Sequence, residues 1–166
     1  MALARCCNLD PSNMTVEQVS QFMIYFMDSV ISKLPAHHDQ IVFIYDVSGF
    51  GYSNFSKDIC KAIVTISSKL YTGNIKQQIV LNSSMTVKML YNIGKAFMHE
   101  RARRRFEFMG CNKEMNREYL LTKLDADVLP NDMGGHGLDT SEILERYASD
   151  VHEDHMQNLR NMNRAF

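Results

Sequence analysis

The chain has 166 residues, of which 45% are hydrophobic and 22% charged, with a formal net charge of −1. This composition excludes a disordered chain and fits one globular domain whose core needs no metal or disulfide staple. No apolar run reaches the roughly 20 residues that span a bilayer, and no signal-peptide h-region is visible, so a cytoplasmic protein is expected.

Residues 2–8 predict a short strand, followed by the turn Asp10-Pro11-Ser12-Asn13. Thr15 then opens a helix, with Gln18 three residues on as its capping-box partner. Val19, Phe22, Met23, Phe26, Met27, Val30, Ile31 and Leu34 recur at helical spacing, and Pro35 ends the run. Ile41 to Tyr45 is continuously apolar and ends in Asp46, the pattern of a buried parallel strand. After a glycine-containing loop over Ser48–Ser53, a second amphipathic helix is predicted from Phe55 to Leu70, with Phe55, Ile59, Ile63, Ile66 and Leu70 on one face.

A strand over Gln78–Leu81, a helix over Met85–Met98, a strand over Arg105–Met109 and a helix from about Met115 to Leu124 follow. The turn Leu129-Pro130 and the pair Gly134-Gly135 come next, and the last thirty residues read as a polar surface helix or tail. Alternation of strand and helix predicts an open, mostly parallel α/β sheet with right-handed crossovers. The four cysteines, Cys6, Cys7, Cys60 and Cys111, lack any CxxC spacing and read as free thiols in a reducing compartment.

No residue pattern carries catalysis. Gly49-Phe50-Gly51 lacks the third glycine of a dinucleotide loop, since Asn54 stands there. Gly-x-Ser-x-Gly is absent. Asp46 has no carboxylate, Lys or His between Gln40 and Tyr52 to complete a site, which favours a turn-capping role. His152-Glu153-Asp154-His155 and His37-His38 lie in polar segments and read as solvated rather than metal-binding, so no metal or cofactor is expected.

Charge is distributed unevenly: residues 73–124 carry ten Lys/Arg against four Glu, and the remainder is acidic. The densest part is Arg101-Ala102-Arg103-Arg104-Arg105, directly after the apolar helix. A pI of about 6.6 argues against a nucleic-acid surface. The residues alone leave two readings of the cluster open, a solvated helix end and a bidentate phosphate clamp. Twelve methionines add adaptable thioethers, several on or beside apolar helix faces, which suit either a core or a ligand of variable shape.

In order, Arg5 to Pro11, Ile44-Tyr45-Asp46-Val47-Ser48-Gly49, Ile79-Val80-Leu81-Asn82, Lys95-Ala96-Phe97-Met98 and Leu129-Pro130 through Gly134-Gly135 resemble the motifs of the CRAL-TRIO lipid-binding domains, nearest the α-tocopherol and retinaldehyde carrier branch. The resemblance covers residues 2–135 and implies a lobe over 1–140 with an appended polar segment over 141–166. It implies a mobile gate helix over a hydrophobic pocket lined by Met23, Met27, Ile41, Phe43, Tyr45, Ile66, Leu90, Ile93 and Phe97. It also implies a phosphoinositide-headgroup patch at Lys76, Arg101 and Arg105.

The expected activity is non-enzymatic: a monomer that binds a small hydrophobic ligand and transfers it between membranes, docking transiently on phosphoinositide surfaces. The alternatives are a non-transferring scaffold or recruitment module that has lost the pocket, and an α/β enzyme using Asp46 and the arginines on a phosphorylated substrate. Several positions depart from the family pattern. Asn74 replaces a basic residue of that branch, and Gly73 an acidic residue of the phosphatidylinositol-transfer branch. Ser83-Ser84 and Ala96 replace prolines around the gate. The helical lobe that usually precedes such a domain is not among these residues, and a fragment, short isoform or decayed paralogue is expected.

Overall fold

The computed structural model describes residues 1–6 and 9–150, which fall into two compact units divided between Asn112 and Lys113. The first unit is built on four strands, β1 (Ala2–Arg5), β2 (Ile41–Asp46), β3 (Ile75–Leu81) and β4 (Phe106–Phe108). They lie in the order β1-β2-β3-β4, every pair parallel. The crossovers are helical: α1 (Val16–Ser32), α2 (Lys57–Leu70), and α3 (Met85–Lys95) followed by the short α4 (Glu100–Arg103). A parallel sheet of this kind is the expected α/β architecture.

Each helix starts where its sequence supplies a cap. The Thr15 hydroxyl accepts from Gln18 N at 3.1 Å while Gln18 Oε1 accepts from Thr15 N at 2.9 Å, the reciprocal pair anticipated from sequence. Ser56 and Ser84 cap α2 and α3 with their hydroxyls alone, accepting from Ile59 N and Val87 N. Because Ser56 is the cap, α2 begins at Lys57 and not at Phe55. At its other end Leu70 is 60% exposed and Tyr71 takes the core position.

Register places Ala2, Phe43 and Gln78, and likewise Ala4, Tyr45 and Val80, on one face of the sheet, with Phe106 and Phe108 continuing both rows. All three long helices pack against that face. From α1 come Met23, Phe26, Met27, Val30 and Ile31, and from α2 Ile66, around Ala2, Ile41, Phe43 and Ile75. From α3 comes Val87, in a second cluster with Val47, Val80, Tyr45, Phe106 and Phe108. Monotonic strand order with right-handed crossovers puts successive helices on one side of a sheet, so the topology itself concentrates the helices here.

Several element ends differ from the sequence expectation. β1 ends at Arg5, and residues 7–8 lie outside the described residues. β3 starts three residues earlier than predicted, at Ile75, because its polar positions Lys76 and Gln77 are strand residues: Lys76 falls at a register shift, and Gln77 pairs with Glu107 of β4. α3 stops at Lys95, where the chain tightens through the turn bonds Phe97 N to Gly94 O at 3.0 Å and Met98 N to Lys95 O at 3.1 Å.

The second unit contains α5 (Lys113–Leu121), a 3₁₀ turn over Asn131–Met133 and a helix over 140–150. Its turn requires glycine. Gly134 has φ +88°, and a β-carbon on Gly135 would stand 2.0 Å from the Leu129 carbonyl oxygen. The segment is closed by a bridge between Pro130 and Gly137, and Arg117 Nε donates to Gly134 O at 3.0 Å.

Candidate functional site

The site with the most functional character is the helix-covered face of the first unit, with α3 along it and the arginines of α4 at its edge. α3 has two apolar surfaces. Val87, Leu90 and Gly94 are buried, whereas Met85, Met89 and Ile93, spaced four residues apart, are 75%, 53% and 42% exposed. Lys88 and Asn92 are exposed as well, so no polar residue of this helix is forced inward. Beneath it, Tyr91 makes an edge contact with Phe108, with ring centroids 4.6 Å apart, and a tilted one with Phe106 at 5.2 Å.

Of the nine residues expected to line a pocket, Met23, Met27, Ile41, Phe43, Tyr45 and Ile66 are brought together in one cluster between α1, α2 and the sheet. Met27, Ile41 and Phe43 are closely covered there by apolar neighbours. Leu90 is buried on α3 and Ile93 is on its exposed stripe. Phe97 lies just past the helix, half-buried, with Lys61 Nζ 5.9 Å from its ring centre. Tyr45 belongs to both clusters of the face and donates its hydroxyl to Gln78 Oε1 at 3.1 Å. Burial, with a smaller effect of Cys6, pushes its phenol well above the usual range.

Lys76 and Arg101 are exposed, but Arg105 has a second occupation. Its Nη1 donates to the Thr72 carbonyl, and burial, followed by repulsion from Arg101, lowers its pKa. Arg104 is engaged by Glu100 one turn earlier in α4. The Arg103 Nε is buried without a hydrogen-bond partner among the described residues. Thus the arginine run seen in sequence divides into an exposed Arg101, an ion-paired Arg104, and two side chains partly drawn into the fold.

Asp46 is structural in its contacts. Its Oδ1 accepts from Ser48 N at 3.0 Å, Ser48 Oγ at 2.7 Å and Asn82 Nδ2 at 2.9 Å. Burial pushes the carboxyl up, yet these donors together with Arg5 outweigh it and hold the group below the usual aspartate range. The pairing fixes the loop after β2 to the end of β3, where Asn82 adopts φ +59°. Sequence reasoning anticipated the cap but missed Asn82, a partner 36 residues away.

Among the described residues no group of three or more His, Cys, Asp or Glu is placed to hold a metal ion, and no helix is long and apolar enough to cross a membrane. The His152–His155 segment lies outside the described residues.

A parallel lobe with its helices on one face and an apolar helix beside a cationic edge defines the class. The CRAL/TRIO domain family model matches residues 1–135, and the chain belongs to that family. It is 31% identical over 133 residues to the phosphatidylinositol/phosphatidylcholine transfer protein SFH11 of Arabidopsis thaliana, covering 74% of this chain and 35% of that protein. It is 21% identical over 118 residues to the tyrosine-protein phosphatase non-receptor type 9 of Homo sapiens, covering 71% of this chain and 19% of the phosphatase. The crystal structure of Sfh5 superposes with a TM-score of 0.59 at 19% identity, over 76% of this chain and 43% of that one, a likeness of fold. The chain thus spans about a fifth to a third of the length of these curated relatives. They do not single out the tocopherol and retinaldehyde branch.

Proposed function

We propose that this chain is a non-enzymatic lipid-binding lobe that takes up a small hydrophobic ligand between α2, α3 and the helix-covered sheet face, and exchanges it while docked on an anionic membrane. The observation that carries this reading is the double character of α3. A helix that is apolar on its buried side and again along Met85, Met89 and Ile93 gains from contact with a second apolar phase. Lys76 and Arg101 on the same unit supply the attraction to anionic headgroups, phosphoinositides among them, each worth about 1 kcal/mol near such a surface. Family membership and a relative named as a phospholipid transfer protein support the same reading.

In this mechanism α3 is the gate: anchored at the membrane by its outer methionines, it moves aside and lets the apolar ligand pass to the sheet. Leu90 and Phe97 would then join Tyr45, Ile66 and the other expected residues as pocket wall. A protein of this kind works as a cytoplasmic monomer that visits the membrane transiently.

The test is transfer of a fluorescent lipid between donor and acceptor vesicles, with and without phosphoinositide. Met85→Glu with Met89→Glu should cut vesicle binding and transfer at least tenfold without lowering the melting temperature. Unchanged transfer by that variant would overturn the reading.

A second reading is favoured by one observation. Met27, Ile41 and Phe43 already fill the space between α1 and the sheet, as a scaffold that has lost its pocket would. Native mass spectrometry of protein purified from cells distinguishes the two, since a carrier retains a stoichiometric hydrophobic molecule and the scaffold gives the bare mass.

A further inference from the structure

The outer stripe of α3 carries sulfur where leucine would supply the same apolar area. Met85 is 75% exposed, more than any other large hydrophobic side chain among the described residues, and Met89, one turn on, is 53% exposed. Residues four apart in a helix are neighbours on one face, so the two thioethers form a single patch. Exposed Lys88 and Lys95 border it, and α3 contains no Asp or Glu. An apolar patch bordered by cations and free of acids has the charge complementarity of an anionic membrane surface.

A thioether differs from leucine in one chemical respect that matters at such a surface. Its sulfur attacks a peroxide oxygen and the O–O bond breaks. The sulfur gives up two electrons to become a sulfoxide, and the other peroxide oxygen leaves as water with both protons. The reaction needs only a peroxide and an open sulfur. α3 supplies open sulfur at two positions, whereas Met27 in the core is fully covered and Met23 beside it is half-buried. The product is a polar hydrogen-bond acceptor that must lose water to enter a bilayer interface. Two such groups one turn apart leave Ile93 as the sole apolar member of the stripe. The buried side of the helix, Val87, Leu90 and Gly94, is untouched by the change, so docking and folding respond separately.

We propose that Met85 and Met89 are a peroxide-sensitive modification site that switches membrane docking: the thioethers hold α3 at the anionic surface, and their sulfoxides release it. This rests on the docking reading above and adds its regulation. Release is reversible, because a dithiol reductase returns each sulfoxide to the thioether, oxidising its own thiols to a disulfide and forming water.

The experiment uses the full chain, hydrogen peroxide, and vesicles of phosphatidylcholine and phosphatidylserine. Dithiothreitol added after the peroxide returns reversibly oxidised cysteines to thiols and leaves sulfoxides in place, and peptide mass spectrometry locates the added oxygens. Each protein is compared with itself before and after treatment. In the parent, oxidation of both methionines should weaken vesicle binding about tenfold. The melting temperature should stay within about 2 °C, and methionine sulfoxide reductases should restore binding. Met85→Leu with Met89→Leu, whatever its starting affinity, should bind equally before and after peroxide. If that pair does not fold, either single variant serves, with a smaller loss than the parent's. Met14→Leu with Met115→Leu removes two exposed sulfurs that lie off α3 and should keep the parent's full loss. Equal binding by the parent before and after oxidation of both methionines would overturn the switch and leave the docking reading standing. So would a loss that persists in the double leucine variant, or peroxide that oxidises Met14 and spares Met85 and Met89. A parent that does not bind the vesicles before treatment overturns the docking reading, and the switch with it.

Discussion

Gly94 of α3 and Cys60 of α2 touch so closely that a β-carbon on the glycine would stand 2.9 Å from the cysteine Sγ. The two helices meet at that point because one of them presents no side chain. Gly94→Val should therefore cost about 2 kcal/mol by overpacking. Adding Cys60→Ala, which removes the opposing sulfur, should recover at least half of the loss. Urea unfolding of the four members of the cycle measures the coupling, and purely additive effects would contradict a direct contact.

Asp46 links stability to acid. Because its folded pKa is depressed, the carboxylate contributes stability that is fully present above the unfolded value near ~3.9 and is lost as pH falls through that range and below. Asp46→Asn should lower stability at neutral pH by about 1–2 kcal/mol, allowing for solvent screening. The difference between parent and variant should shrink as pH is lowered toward 3. A difference independent of pH would show that the charge is not what holds Ser48 and Asn82.

Tyr71 titrates in the opposite sense. Its hydroxyl donates to Asp28 Oδ1 at 2.8 Å on α1, and burial, followed by that bond and the negative charge behind it, pushes its pKa up to about 12. A raised tyrosine pKa favours the neutral form in the folded state. This contribution is complete below ~10 and disappears as pH rises from there through about 12. Absorbance at 295 nm should show a late-titrating phenol that Tyr71→Phe removes, together with a stability loss of about 1–2 kcal/mol at neutral pH.

Arg101 and Arg105 should separate in experiment although sequence grouped them. Arg101→Ala should leave stability within about 0.5 kcal/mol and weaken binding to anionic vesicles roughly fivefold at low salt. Arg105→Ala should cost about 1–2 kcal/mol as well, since it removes the donor to the Thr72 carbonyl. Thermal melts and vesicle flotation at two salt concentrations report both effects. Equal stability of the two variants would remove Arg105's structural role.

Much of the fold was legible along the chain because it depends on local signals. The Thr15–Gln18 capping box, the apolar run Ile41–Tyr45 and the alternation of strand and helix each announce an element within a few residues. The closing Leu129-Pro130…Gly134-Gly135 motif was visible too, and the clash of any Gly135 side chain with the Leu129 carbonyl shows why glycine stands there. The start of β3 was hidden, since Lys76 and Gln77 break the apolar pattern and are explained only by strand partners.

Local sequence thus determined which segments are strands or helices and which helix is apolar, because hydrogen-bonding caps and side-chain periodicity act over one or two turns. Only the tertiary structure decided what the polar residues of those segments do. Burial and partners for Gln78, Arg105 and Asp46 come from Tyr45, Thr72 and Asn82, each more than thirty residues distant. No period or spacing encodes such pairings. They arise when parallel crossovers set distant strand ends side by side, and the low-dielectric interior then makes each polar group find a partner or await one.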